Sequence, residues 1–147
     1  MLIRYIESKD ENKVLEMMRT FYASSAVHTN GSDEIFSADI SACLSDNPYL
    51  EGYVFENEGE ILGYGMVAKS FSTEFGKPCM WIEDIYLIPS CRGMGIGSKF
   101  LDFITNKYPN AILRLEVEEE NVRAVKTYLK NGFEYLPYKE MKKEIKL

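Results

Sequence analysis

The residues Arg92-Gly93-Met94-Gly95-Ile96-Gly97 lie between an apolar, β-branched run, Trp81 to Ile88, and an amphipathic run, Ser98 to Lys107. That order predicts a strand, a turn lined with backbone N–H groups, and then a helix. Glycines at 93, 95 and 97 carry no Cβ to hold a ligand away. The first N–H groups of the helix have no partner within it and project with the positive end of its macrodipole. Such a turn is an anion cradle suited to phosphate. Arg92 opens it and can add a charge-assisted hydrogen bond of roughly 1.5–3 kcal/mol.

Spacing narrows the kind of phosphate. A P-loop needs GxxxxGK[ST], and here the lysine arrives as Gly97-Ser98-Lys99, which does not fit. A dinucleotide fingerprint needs GxGxxG, and Ser98 stands where its third glycine belongs. Glu116 does sit near the end of the next apolar run, where a ribose-binding acid is expected. Too little α/β sequence remains, however, to build a doubly wound fold around it.

The elements that must position the loop read from periodicity. Leu2 to Ile6 is a strand, followed by a helix over Asp10 to Tyr22 with Val14, Leu15, Met17, Met18 and Phe21 at helical spacing. Ala23 to Gly31 is a small-residue loop carrying His28, which reads as solvent-exposed. Ser32 or Asp33 caps a second helix to about Leu44, with Ile35, Phe36, Ile40 and Leu44 on its inner face. Gly52 to Glu56 and Ile61 to Lys69 form a hairpin through Asn57-Glu58-Gly59-Glu60. After the turn-rich link Phe71 to Pro78, a strand from Cys79 to Ile88 feeds the glycine loop and its helix. Ala111 to Glu118 alternates as a half-buried strand. A last helix, Asn121 to Lys130, ends at Asn131-Gly132, and Phe133 to Leu147 returns as one or two strands broken near Pro137. No repeat or linker interrupts the chain.

Composition sets outer limits. A chain of 147 residues with 46% hydrophobic content predicts one globular domain, residues 1–147. The start of the chain has no long apolar stretch behind it, so neither a leader nor a membrane span is expected and the cytoplasm is the default. Cys43, Cys79 and Cys91 show no CxxC spacing and His28 is the sole histidine, which argues against a disulfide framework or a metal site. Cys91 has no base beside it to make it reactive. The formal net charge of -6 argues against a nucleic-acid footprint and suits a cationic partner, although it also serves solubility.

Arg92, Gly95 and Gly97, as Arg-x-x-Gly-x-Gly after an apolar strand, resemble the acetyl-CoA pyrophosphate loop of the GNAT N-acetyltransferase superfamily. Downstream, Asn121-Val122-Arg123-Ala124-Val125-Lys126-Thr127-Tyr128, closed by Asn131-Gly132-Phe133, is similar to that family's second cofactor segment. The resemblance runs from about Gly52 to Phe133. Within the superfamily, Trp81-Ile82-Glu83-Asp84-Ile85-Tyr86-Leu87 resembles the central strand of diamine and spermidine acetyltransferases, although a Glu-Asp pair there also occurs in members with other acceptors.

The resemblance implies a mixed α/β fold of the GNAT acyl-CoA N-acyltransferase type, with a central, mostly antiparallel sheet flanked by about four helices. It implies acetyl transfer from acetyl-CoA to a primary amine by direct attack, without a metal. The donor would lie on the backbone of Ile85, Tyr86 and Leu87, on the loop residues Arg92, Gly93, Met94, Gly95, Ile96, Gly97 and Ser98, and on Asn121, Ala124 and Tyr128. Glu83 is the expected general base and Tyr128 the group that meets the departing thiolate. Phe21, Tyr22 and Glu83 are expected to meet the acceptor, and a backbone N–H near Leu87 to stabilise the oxyanion. Asp84 would point to the opposite face by strand alternation.

Each role has a plainer reading. Glu83 can hold a neighbouring loop, Tyr128 can be a core aromatic, and Asn121 can be an N-cap that also touches the donor. Two other functions share the same loop, a non-catalytic acyl-CoA-binding or sensor module and an acetyltransferase for protein lysines or N-termini. The acidic balance tilts toward a small cationic acceptor. The expected partners are therefore acetyl-CoA and an amine, with no nucleic acid and no membrane, and a homodimer is allowed.

Overall fold

The computed structural model describes residues 1–145. Five strands form one sheet in the order β1-β2-β3-β4-β5: β1 Leu2–Tyr5, β2 Leu50–Asn57, β3 Glu60–Ser72, β4 Lys77–Leu87 and β5 Ile112–Leu115. The first three junctions are antiparallel and β4–β5 is parallel. Helices α1 (Glu11–Tyr22) and α2 (Asp33–Leu44) precede β2, α3 (Ile96–Lys107) joins β4 to β5, and α4 (Val122–Lys130) follows. The mixed, mostly antiparallel sheet with four helices is the architecture read from the sequence. Among the described residues no helix is long and apolar enough to cross a membrane.

The period-2 alternation of β2 explains the two cores. Val54 packs with Val14, Met18, Phe36 and Ile40 under α1 and α2, whereas Tyr53 and Phe55 pack with Phe100, Leu101 and Ile104 of α3 on the other face. Gly65 lets α3 come close, because a Cβ there would lie 2.5 Å from the Phe100 ring. Glu58 and Gly59, at φ 51° and 81°, form the tight turn that the sequence signalled. Ser32 is the N-cap of α2, its Oγ accepting from the Ile35 N–H at 3.2 Å.

Helix α4 closes in a Schellman motif. The Phe133 N–H donates to the Tyr128 carbonyl (3.0 Å) and the Gly132 N–H to the Leu129 carbonyl (3.2 Å), with Gly132 left-handed at φ 89°. The Tyr128 and Phe133 rings sit 5.8 Å apart, which is the apolar contact this cap favours.

Two expected elements differ. The strand expected over Ala111 to Glu118 is only Ile112–Leu115, because its partner β4 turns away after Ile82 and leaves residues 116–118 nothing to pair with. No strand forms over residues 133–145, where Tyr135, Tyr138 and Met141 are exposed and Pro137 lacks an N–H. Residues 146 and 147 of that expected strand lie outside the described residues.

Arg4 ties the sheet to the start of α1. Its guanidinium donates to both Asp10 oxygens (2.7 and 3.0 Å) and to Glu56 (2.9 Å). Burial alone would raise the Asp10 carboxyl, but the Arg4 fork and the Glu7 N–H outweigh it and hold it below its ordinary 3.8. Arg4→Met strands a buried carboxylate and is expected to cost about 3–5 kcal/mol in urea unfolding at pH 7. Because the folded pKa lies below the unfolded one, the Arg4 contribution is complete above 3.8 and fades as pH falls through the folded value. The gap between variant and parent should therefore close in acid. An equal gap at pH 7 and pH 2 would contradict the pairing.

Candidate functional site

The site begins with one extra residue in β4. Met66 pairs with Asp84 and Val67 with Ile82, so Glu83 has no partner on β3 and forms a β-bulge. Before the bulge Met80 and Ile82 face α3; after it Asp84 and Tyr86 face α1 and α2. Glu83 and Asp84 consequently line the same cavity, of about 200 Å³. This corrects the expectation that Asp84 points to the opposite face, since simple alternation fails across a bulge.

The bulge also opens the sheet. β5 pairs with β4 only from Cys79 to Ile82, so Glu83 to Leu87 present a free edge. The Ile88 N–H donates to the Leu62 carbonyl across β3 (2.9 Å), and polar groups alternate along an antiparallel ladder. Leu87 and Ile85 thus turn their N–H and C=O groups to the free edge, while Tyr86 turns its own to β3. The Leu87 carbonyl is taken by Arg92 Nε at 3.0 Å.

Beyond Leu87 the glycine loop delivers the chain into α3. Gly93 and Gly95 both have φ 81°, a conformation that disfavours other residues, and a Cβ on either would meet nothing within 4 Å. α3 starts at Ile96, its first bond running from the Lys99 N–H to the Gly95 carbonyl (3.1 Å). The N–H groups of Ile96, Gly97 and Ser98 are therefore left without helical partners. Exposed Met94 and the guanidinium of Arg92, 5.6 Å over the Tyr86 ring, flank the loop.

α4 stands beside it. A Cβ at Gly97 would lie 4.0 Å from the Thr127 methyl, and Asn131 Nδ2 donates to Ser98 Oγ at 2.9 Å. Asn121 caps α4, its Oδ1 accepting from the Ala124 N–H at 3.4 Å. The Tyr128 hydroxyl makes no hydrogen bond to a described residue, and burial raises its pKa above 10.0. Arg123, Lys126 and Lys130, with Val122 and Thr127, line an open groove of about 460 Å³ along α4. The three basic residues fall at i, i+3 and i+7 on one helix face, and that spacing was the available signal.

Toward α1 and α2, Tyr22 and Asp39 complete the cavity around Glu83 and Asp84, with an apolar surface from Leu50, Met66 and Ala68. Asp84 is 4% exposed and accepts the hydroxyls of Tyr64 (2.7 Å) and Tyr22 (3.0 Å). Burial raises its carboxyl, and the two tyrosines pull back only part of that rise. Burial likewise pushes Asp39 up to about 6, with the Asp84 charge acting the same way. Glu83 opens to solvent at the cavity mouth, yet the chain around it still dehydrates its carboxyl. Its pKa rises, helped by the charges of Asp84, Glu140 and Asp39. Farther out, the Glu140 carboxyl and partial burial push Glu116 up to about 7.

Of the residues expected on this side, Tyr22 and Glu83 reach the cavity, while Phe21 stacks on Tyr86 at 6.1 Å beneath it. His28 is exposed and meets the Glu118 carboxylate. Asp39 was missed, although an acid three residues after Phe36 and one before Ile40 stands out on an otherwise apolar helix face.

Comparison with known proteins bears on the fold and the family. The model of the Acetyltransferase (GNAT) family matches residues 13–133. A thialysine N-epsilon-acetyltransferase from Sus scrofa is 31% identical over 140 residues, covering 86% of this chain and 80% of that protein. A crystal structure of a possible acetyltransferase from Clostridium difficile superposes with a TM-score of 0.82 at 20% identity, covering 98% of this chain and 97% of the other. A predicted acetyltransferase from Clostridium acetobutylicum, solved with acetyl-CoA, gives 0.77 at 19% identity over 96% and 95% of the two chains.

The carboxylate cluster makes a direct spectroscopic prediction. The side-chain carboxyl of Asp39 should titrate by carbon NMR with a midpoint near 6. In Asp84→Asn the midpoint should fall yet stay above 3.8, because burial, the larger cause, remains. A folded-state value above the ordinary one means that the Asp39 contribution to stability is present in acid and is lost as pH rises through about 6. An Asp39 midpoint unchanged by Asp84→Asn would break the coupling.

Proposed function

The chain belongs to the acetyltransferase (GNAT) family, whose members are acetyl-CoA-dependent N-acetyltransferases, and on that premise we propose that it acetylates a primary amine of a small acceptor by direct attack in a ternary complex, with no covalent acyl-enzyme. The observation that carries this reading is the free edge of β4 from Glu83 to Leu87, which adjoins the glycine loop at one end and the acidic cavity at the other. The name of the Sus scrofa relative, an amine acetyltransferase, and the acetyl-CoA bound to the Clostridium acetobutylicum neighbour support it.

The residues present suit the donor. The space before Gly93 and Gly95, the unpartnered N–H groups of Ile96, Gly97 and Ser98, and the outer nitrogens of Arg92 fit a pyrophosphate. Arg123, Lys126 and Lys130 add positive charge alongside. Ile85 and Leu87 offer backbone groups to an amide-bearing arm, as a sheet edge does to an added strand. The Leu87 N–H, fixed because Arg92 holds the carbonyl of the same residue, donates to the thioester oxygen as negative charge grows there.

One proton leaves the acceptor amine, and the departing thiolate is met at the other end of the site. Taking an amine of pKa about 10.4 to its neutral form at pH 7 costs about 4.6 kcal/mol. Glu83 takes that proton directly or through water, and its raised pKa brings it closer to the operating pH. Tyr128, whose hydroxyl is unspent, meets the departing thiolate. Burial makes it a weaker acid than a free tyrosine, so it acts by hydrogen bonding rather than by giving up its proton.

Incubation with acetyl-CoA and a panel of amines should release free thiol and give products heavier by one acetyl group; acetylation confined to peptides would overturn the small-acceptor reading. Tyr128→Phe should lower kcat by about 10²-fold while acetyl-CoA affinity, read by calorimetry, changes little. Unchanged turnover would remove Tyr128 from the mechanism. Gly95→Glu places a carboxylate and a strained left-handed residue in the cradle, and acetyl-CoA binding should vanish while the fold persists. Retained binding would sink the loop assignment.

A further inference from the structure

Helix α4 carries three cations that nothing in the fold employs. Arg123, Lys126 and Lys130 line the open groove, and among the described residues none of their side chains makes an ion pair or a hydrogen bond, whereas Arg4, Arg19, Lys69 and Lys107 each face a carboxylate. Like charges three and four residues apart destabilise a helix, and a bound anion would reverse that effect. Glu118, Glu119 and Glu120 precede α4, yet none of them lines the groove. The groove also continues from the glycine loop. Thr127, one of its lining residues, is the neighbour of Gly97, and Asn131 donates to Ser98 Oγ. Helical geometry puts Arg123, Lys126 and Lys130 within about 60° of one another around the axis, beside Thr127, with Asn121, Ala124 and Tyr128 on the other side. α4 therefore has a second, basic face that begins where the cradle ends.

We propose that this groove seats the phosphate monoester on the donor's ribose, the 3′-phosphate of CoA, and so selects the 3′-phosphorylated donor over its dephospho form. The proposal rests on the acetyl-CoA reading above and adds a determinant that the glycine loop lacks. In CoA the pyrophosphate joins the pantetheine arm to a ribose, and that ribose carries the monoester. With the pyrophosphate on the N–H groups of Ile96, Gly97 and Ser98 and the arm along the free edge of β4, the ribose must leave the loop by another side. Past Thr127, the groove along α4 is a cation-lined surface open to it. A monoester bears about −1.5 to −2 at pH 7, and three unpaired cations match that charge. The groove is open, so the phosphate and the cations keep part of their hydration and neither has to be buried unpaired.

Two donors that differ by one phosphate isolate the effect: acetyl-CoA and acetyl-3′-dephospho-CoA. By calorimetry on the full chain, acetyl-CoA should bind about tenfold tighter or more. The triple variant Arg123→Gln, Lys126→Gln, Lys130→Gln, all at exposed positions, should lose that preference by weakening acetyl-CoA alone, with the dephospho donor bound as in the parent. A merely structural role would weaken both donors together. Lys13→Gln, which removes an exposed charge from α1, should keep the parent preference. Added salt should erode the affinity for acetyl-CoA faster than that for the dephospho donor. Equal binding of the two donors by the parent protein, or a preference that survives the triple variant, would overturn the proposal and leave the acetyl-CoA reading standing. Binding of neither donor would overturn both. No acceptor enters these measurements, so the identity of the amine does not affect them.

Discussion

Two strands that run side by side part company when one of them gains a residue, and here that residue is Glu83. β4 pairs with β3 along its whole length but with β5 only as far as Ile82. The bulge reverses which face each later side chain occupies and frees an edge of backbone from Glu83 onward. Both consequences are needed together. A regular strand would have left the sheet closed and sent Asp84 into the α3 core, where Tyr22 and Tyr64 could not reach it.

The surroundings hold that opening in place. Arg92 returns from the loop to bind the Leu87 carbonyl, so the end of β4 and the start of the loop are pinned to each other. The far end of α3 is fixed independently. Lys107 Nζ donates to the Tyr53 hydroxyl at 2.7 Å, and the Tyr108 hydroxyl reaches Glu51 at 2.7 Å. Burial would raise the Glu51 carboxyl, but the Tyr108 and Tyr53 hydroxyls and the Lys107 and Lys69 charges outweigh it and hold it low. A helix anchored at its C-terminus and packed through Phe100 and Ile104 keeps its N-terminal N–H groups aimed without help from the ligand.

The loop, the α4 cap and the hairpin turns were legible in the sequence because each depends on local residue type. Gly95 must be left-handed where it stands, Asn121 can cap only the turn that follows it, and Gly132 ends α4 through bonds to its own last turn. The bulge was not legible. Trp81-Ile82-Glu83-Asp84-Ile85 is compatible with a regular strand, and the extra residue is defined only by the register against Met66 and Val67. Asp84 was consequently assigned to the wrong face, and the third carboxylate, on a helix more than forty positions earlier, went unnoticed. The final stretch failed for a related reason: an alternating pattern becomes a strand only where a ladder partner exists, and residues 133–145 have none.

On the proposed reading the two halves of the site are built from different material. The donor half is mostly backbone, made of N–H groups, carbonyls and glycine conformations, and substitutions that keep the fold leave those groups in place. The acceptor half consists of side chains on α1, α2 and the bulge, whose exchange alters charge and volume without moving the sheet. Changing Asp39 exchanges one charge on a helix that Phe36 and Ile40 already anchor. Changing Gly95 alters the path of the chain itself. On that reading another acceptor would require few changed residues, whereas a different donor would require another loop.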